Sequence, residues 1–157
     1  MREIHGTLDG SGLQVCLVAA RFNETVVTRL VDGALRAMRQ HGVAEDHLEL
    51  IWVPGAFEIA VAAAERLQQG GIDALVALGA VIRGETPHFE YVASAAAAGV
   101  AELGVKHRVA TGFGVLTVNT VDQATERAGG KLGNKGWEAA TSALELASVL
   151  RQLRSDR

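Results

Sequence analysis

Four apolar runs, each followed by a segment whose apolar residues recur at helical spacing, constrain the fold more than any other feature of the chain. Leu13–Ala20 reads LQVCLVAA, a nearly continuous apolar run rich in branched residues, which predicts a strand buried on both faces. Asn23 is placed to cap a helix, and Val27, Leu30, Val31, Ala34, Leu35 and Met38 then recur at helical spacing until His41-Gly42 supplies a stop. Leu48–Val53 predicts the second strand and Ala56–Gln69 the second helix, closed by Gly70-Gly71. The third strand covers about Ala74–Ile82, and Thr86-Pro87 offers a cap followed by proline at the first helical position of a helix running to about Leu103. Val109–Val118 predicts a fourth strand, Asp122–Ala128 a short helix and Lys135–Leu153 a terminal helix.

Such alternation predicts an α/β fold: a three-layer α/β/α sandwich with a four-stranded parallel sheet and right-handed crossovers. Residues 1–12 carry no helical pattern and read as an arm, either loose or adding a strand to a neighbouring subunit; residues 13–157 read as one domain. A chain of 157 residues is long enough to bury a single core without disulfides. That core draws on Ala, Val and Leu, since only four Phe, two Trp and one Tyr are present, which favours helices packed closely over the sheet.

Composition removes several functions. A net charge of −3 with no long basic run argues against nucleic acid as a partner. No apolar stretch approaches the roughly 20 residues that span a bilayer, and the start MREIHGTLDGSG has no signal pattern, so a cytoplasmic protein without a membrane partner is expected. Cys16, the only cysteine, lies inside an apolar run and reads as a buried free thiol suited to a reducing compartment. The junction AARFNET lacks the glycines of a dinucleotide loop, and GGKLGNKG lacks the order of a phosphate loop. The five histidines share no metal-binding helical spacing, so neither cofactor nor metal is expected.

In a parallel sheet of this kind ligands bind beyond the carboxyl ends of the strands. Arg21-Phe22-Asn23, Pro54-Gly55-Ala56, Arg83–His88 and Asn119–Arg127 fall there. Gly84 permits a sharp turn, and the free amides of Glu85, Thr86 and the following helical turn suit an anion such as phosphate. His88 supplies an imidazole suited to moving protons near pH 7. Each feature has a plainer reading. Thr86-Pro87 is a good helix start in any protein, Arg127 a solvated helix residue, Phe22 and Phe113 core aromatics, and Glu58 a carboxylate stabilising the start of its helix.

Together the motifs are more specific. ARFNE at 20–24, PGAFEIA at 54–60, ALGAVIRGETPHFEYV at 77–92, GFGVLTV at 112–118 and QATERAGGKLGNKG at 123–136 resemble the lumazine synthase family in sequence, order and spacing, from about residue 11 to 150. The resemblance implies a flavodoxin-like fold and condensation of 5-amino-6-(D-ribitylamino)uracil with 3,4-dihydroxy-2-butanone 4-phosphate in riboflavin biosynthesis. It implies that Phe22 stacks on the pyrimidinedione ring, that Asn23, Ala56, Phe57 and Glu58 line the ribityl pocket, and that Val81 and Ile82 hold the heterocycle through their backbones. Gly84, Glu85, Thr86 and Arg127 would form the phosphate subsite, and His88 would transfer protons. Phe113 and Lys135 would come from an adjacent subunit. It further implies pentamers, with the short connection AGGKLGNKG compatible with a sixty-subunit shell, and association with riboflavin synthase. Glu85 and Pro87 depart from many relatives, and a carboxylate at 85 repels phosphate unless its side chain points outward. Two other readings stand beside the enzyme: a structural shell protein with a degenerate pocket, and a flavin-binding module. Retention of Phe22, Glu58, His88, Arg127 and Lys135 argues against the first, and the missing phosphate loop after the first strand argues against the second.

Overall fold

A computed structural model of the chain describes residues 1–155. Four strands, β1 (Val15–Ala20), β2 (Leu48–Val53), β3 (Ala74–Ile82) and β4 (Ala110–Val118), form one parallel sheet in the order β2-β1-β3-β4. Among the described residues five α-helices accompany them: α1 (Glu24–Gln40), α2 (Ile59–Gln68), α3 (His88–His107), α4 (Val121–Arg127) and α5 (Lys135–Ser155). The result is the expected three-layer flavodoxin-like sandwich.

Period-two alternation along β1 explains the layers. Val15, Leu17 and Ala19 join a core with α1 and α5, whereas Cys16, Val18 and Ala20 join a second core with α2 and α3. Because β1 is covered on both faces, all six of its residues are buried, which is why its sequence shows no polar alternation. Small residues let the helices approach. Gly136 lies against the Leu30 carbonyl and Gly112 against that of Ala139, with no room for a Cβ at either place.

Element ends differ from expectation for local reasons. β1 begins at Val15 because the backbone at Gln14 is already engaged: its N–H donates to the Asp73 carboxylate at 2.8 Å and its carbonyl accepts from Asp73. Asn23 precedes α1 but does not cap it through its side chain; it sits in the left-handed region at φ 61 and directs its amide elsewhere. The second helix opens as a 3-10 turn over Ala56–Glu58 before α2 proper. Pro87 stands just before α3 and not in its first turn. That helix continues past Leu103 to His107, closed by Arg108 at φ 53, whose N–H bonds the Gly104 carbonyl.

Between α4 and α5 the chain makes a small antiparallel hairpin that the sequence did not signal, β5 (Ala128–Gly130) with β6 (Gly133–Asn134). Gly129 at φ 97 and Gly133 at φ 81 supply its left-handed positions. Asn134 then joins it to two helices: its Oδ1 accepts from the N–H groups of Gly136 and Trp137, and its Nδ2 donates to the Arg29 carbonyl at 2.9 Å. Residues 1–10 have no regular structure; His5–Thr7 lie against their own α5, where Thr7 N–H donates to Ser148 at 3.1 Å and Gln152 to the His5 carbonyl at 2.7 Å, and Gly10 N–H donates to the His41 carbonyl at 2.8 Å. Among the described residues no helix is long and apolar enough to cross a membrane.

Candidate functional site

In the order β2-β1-β3-β4 the chain steps from β1 to one side and then to the other, so the crossovers leaving β1 and β3 part company and open a crevice at their carboxyl ends. Hydrogen bonds tie the loops around it together. Beyond β1, Arg21 N–H donates to the Val53 carbonyl at 2.8 Å and Phe22 N–H to that of Pro54 at 3.0 Å. Asn23 Nδ2 donates to the Ala80 carbonyl at 2.8 Å, joining the same loop to β3.

The crevice is a cleft of about 640 Å³, within the range of small-molecule sites. Phe22, Asn23, Ala56, Phe57, Glu58, Val81, Ile82, Gly84, Thr86 and His88 all line it. Phe22 is 72% exposed and Phe57 62%, so neither ring belongs to the core, and each presents a face to whatever enters. Glu85 is exposed but not part of the wall, which leaves its carboxylate off the cleft surface. Pro54 and Gly55, expected beyond β2, line the cleft too, as do Ala80, Phe89 and Val92, which the sequence did not single out. Val92 was legible in principle, because it lies one helical turn beyond His88 on α3 and shares its side of the helix.

Three expected residues lie elsewhere. Phe113, Arg127 and Lys135 line a second, smaller cleft of about 230 Å³ along β4, the strand at the sheet's edge. Phe113 is 46% exposed there and is not a core aromatic. Arg127 is half-buried, its Nη1 donating to the Gln123 carbonyl at 3.1 Å, and Lys135 Nζ meets Glu138 at 2.6 Å. Within one chain, then, Arg127 does not join Gly84, Glu85 and Thr86 in a single subsite as expected; it groups with Phe113 and Lys135. α4 packs beside β4 and its own hairpin and carries Arg127 with it.

The two clefts differ in charge. No lysine or arginine lines the larger one, whose ionisable groups are Glu58 and His88, whereas the smaller holds both Arg127 and Lys135. Cys16 is remote from this chemistry. It is fully buried in β1, and burial, assisted by the nearby Glu49 carboxylate, pushes its thiol up to about 12, so it is no nucleophile at neutral pH.

A family model for 6,7-dimethyl-8-ribityllumazine synthase matches residues 12–151, which include all four strands of the sheet, both clefts and the loops that line them; the chain belongs to the 6,7-dimethyl-8-ribityllumazine synthase family.

Proposed function

We propose that the chain condenses 5-amino-6-(D-ribitylamino)uracil with 3,4-dihydroxy-2-butanone 4-phosphate to give 6,7-dimethyl-8-ribityllumazine, at sites shared between neighbouring copies. Family membership supports lumazine synthase chemistry in general. The observation that carries the finer reading is the division of one set of groups between two clefts: rings, backbone and imidazole in one, the two cations in the other. A dianionic phosphate is poorly served by the larger cleft alone, where the free amides at the start of α3 act beside Glu58 with no cation in the wall. Seating the Arg127 cleft of a second copy against the His88 cleft of the first makes the set whole.

In this arrangement Phe22 stacks on the pyrimidinedione, Val81 and Ile82 hold its edge through their backbones, and Asn23, Ala56, Phe57 and Glu58 face the ribityl chain. Gly84, Glu85 and Thr86 offer backbone amides to the phosphate, joined by Arg127 of the second copy, with Phe113 and Lys135 closing the site. The substrate's primary amine attacks the ketone and loses water to form an imine. Phosphate leaves, the resulting enol tautomerises, and the ribitylamino nitrogen closes the ring with loss of a second water. Both nucleophiles belong to the substrate, so the protein's work is orientation, proton transfer at His88 and stabilisation of the departing anion.

Contacts in which one surface meets a different surface of the next copy close into rings when the rotation allows. We read the ring as a pentamer, assembled further into a sixty-subunit shell, in the cytoplasm and in association with riboflavin synthase. The compact β5–β6 hairpin, which adds no long protrusion between α4 and α5, supports close approach of rings. Mixing both substrates with purified protein and following lumazine absorbance and fluorescence tests the reaction. Acceleration over the spontaneous condensation is expected, and its absence refutes the assignment.

A further inference from the structure

The segment Gly84–Pro87, which forms the rim beside His88, has no regular secondary structure and is exposed throughout. Gly84 has open space where a Cβ would stand, so packing does not hold it. The rim is fixed at its ends, and one side chain reaches both. Arg83 follows the last β3–β4 pair, Ile82 with Val118, and its N–H donates to the Val118 carbonyl at 2.8 Å. Its Nε donates to Asn119 Oδ1 at 2.9 Å, and its guanidinium lies over the ring of Phe89, 4.4 Å from the centroid. Phe89 is buried, lines the larger cleft and adjoins His88 in the first turn of α3. Asn119 is held in turn, its own N–H donating to Gln123 Oε1 at 2.7 Å. An arginine at one end of the loop is thus stacked on the residue at the other end and anchored to the end of β4.

We propose that Arg83, braced by Asn119, is a positioning residue that staples the Gly84–His88 rim and sets where the phosphate-facing amides and the His88 imidazole stand. The proposal rests on the condensation argued above. Arg83 does not line the cleft, and its guanidinium is already engaged by Asn119 and Phe89, so its effect passes through the rim and not through the substrate. A planar guanidinium can stack on a ring and donate through Nε at once, which a lysine ammonium cannot.

Steady-state kinetics of Arg83→Ala, Arg83→Lys, Asn119→Ala and the double alanine variant, joined to amide hydrogen exchange over residues 83–92, test the staple. Misplacement of reacting groups predicts that Arg83→Ala lowers kcat by about 10- to 100-fold, with KM for either substrate changed far less. Arg83→Lys recovers part of the loss by keeping a cation over Phe89. The double variant is no slower than Arg83→Ala, because both changes break one linkage. Exchange over residues 83–92 rises in both single alanine variants without any substrate, read at hydrogen-bonded amides such as those of residue 83, which donates to the Val118 carbonyl, and Glu90, which donates to that of Pro87. Wild-type turnover in Arg83→Ala, a raised KM for the phosphorylated ketone with kcat retained, or multiplicative losses in the double variant each overturn the proposal. If Arg83→Ala fails to fold, Arg83→Lys and Asn119→Ala decide by the same split. A wild-type chain without condensation activity refutes the reaction, and hydrogen exchange then decides the staple by itself.

Discussion

Asn23, in the left-handed region before α1, donates its side-chain amide to the carbonyl of Ala80 near the end of β3. The contact joins the ends of β1 and β3, whose crossovers part to open the larger cleft. It also explains why Asn serves here, since Asn tolerates positive φ better than other side chains while carrying the donor. Asn23→Gly keeps the backbone conformation and loses the bond; Asn23→Ala loses both. Chemical denaturation is expected to show a loss of about 0.5–1.5 kcal/mol for Asn23→Gly and a larger one for Asn23→Ala. Equal stability of the two variants would separate the conformation at position 23 from its effect.

For Arg127 the expected effect is on one substrate. Arg127→Ala removes a charge-assisted contact to phosphate and leaves the ring and ribityl surfaces intact, so KM for the phosphorylated ketone rises by about 10- to 100-fold while that for the pyrimidine changes little. Initial rates with each substrate varied in turn check this. An equal rise in both constants would contradict the division of roles between the clefts.

Loss of the imidazole acts on turnover. In His88→Ala, kcat falls by about 10-fold, below the usual range for general acid–base groups because the substrate brings its own nucleophiles and positioning remains. Folding, followed by circular dichroism, is retained, since His88 is exposed at the start of α3. An unchanged turnover and an unchanged pH–rate profile would remove His88 from the mechanism.

The layers, the alternation of strands and helices along the chain and the clustering of ligand-facing residues beyond the strands were legible because apolar periodicity and parallel topology dictate them. Phe22, Asn23, Glu58, Gly84 and His88 come from the segments that follow three different strands, and the crossover pattern brings those segments to one crevice. Two things were not legible. The β5–β6 hairpin depends on two positive-φ glycines and on the three contacts of Asn134, none of which leaves a periodic signal. The separation of Arg127 from Gly84–Thr86 follows from α4 packing against β4 and the β5–β6 hairpin, and the order in which strands pair is invisible to local spacing. Asn23 stands at the N-cap position of α1 as its sequence predicts, but its side chain bonds Ala80 across the crevice instead of capping its own helix.

Cys16 supplies a test of the core. Its thiol is buried in the folded chain and ionises only near pH 12, whereas in the unfolded chain it ionises at about 8.5. Above that lower value the unfolded state sheds a proton that the folded state keeps, so the contribution of Cys16 to stability is complete below about pH 8.5 and is lost progressively towards pH 12. Alkylation by a thiol reagent at pH 8 is accordingly expected to be slow in the native protein and fast in denaturant. Rapid native labelling would mean that β1 opens far more readily than its burial implies.

Assembly of one reaction site from the two clefts of different copies is open to test by complementation. Phe22→Asp spoils the larger cleft and leaves the smaller; Arg127→Ala does the reverse. Unfolded together in equal amounts and reassembled, the two variants form mixed rings in which a Phe22→Asp copy can lend its intact Arg127 cleft to the intact His88 cleft of an Arg127→Ala copy. Random mixing restores about one quarter of wild-type condensation activity, because both halves of a site must be intact. If each site were contained within one copy, no mixed ring would hold a whole site, and activity no greater than the mean of the two variants reassembled separately would show that the clefts of different copies do not share a site.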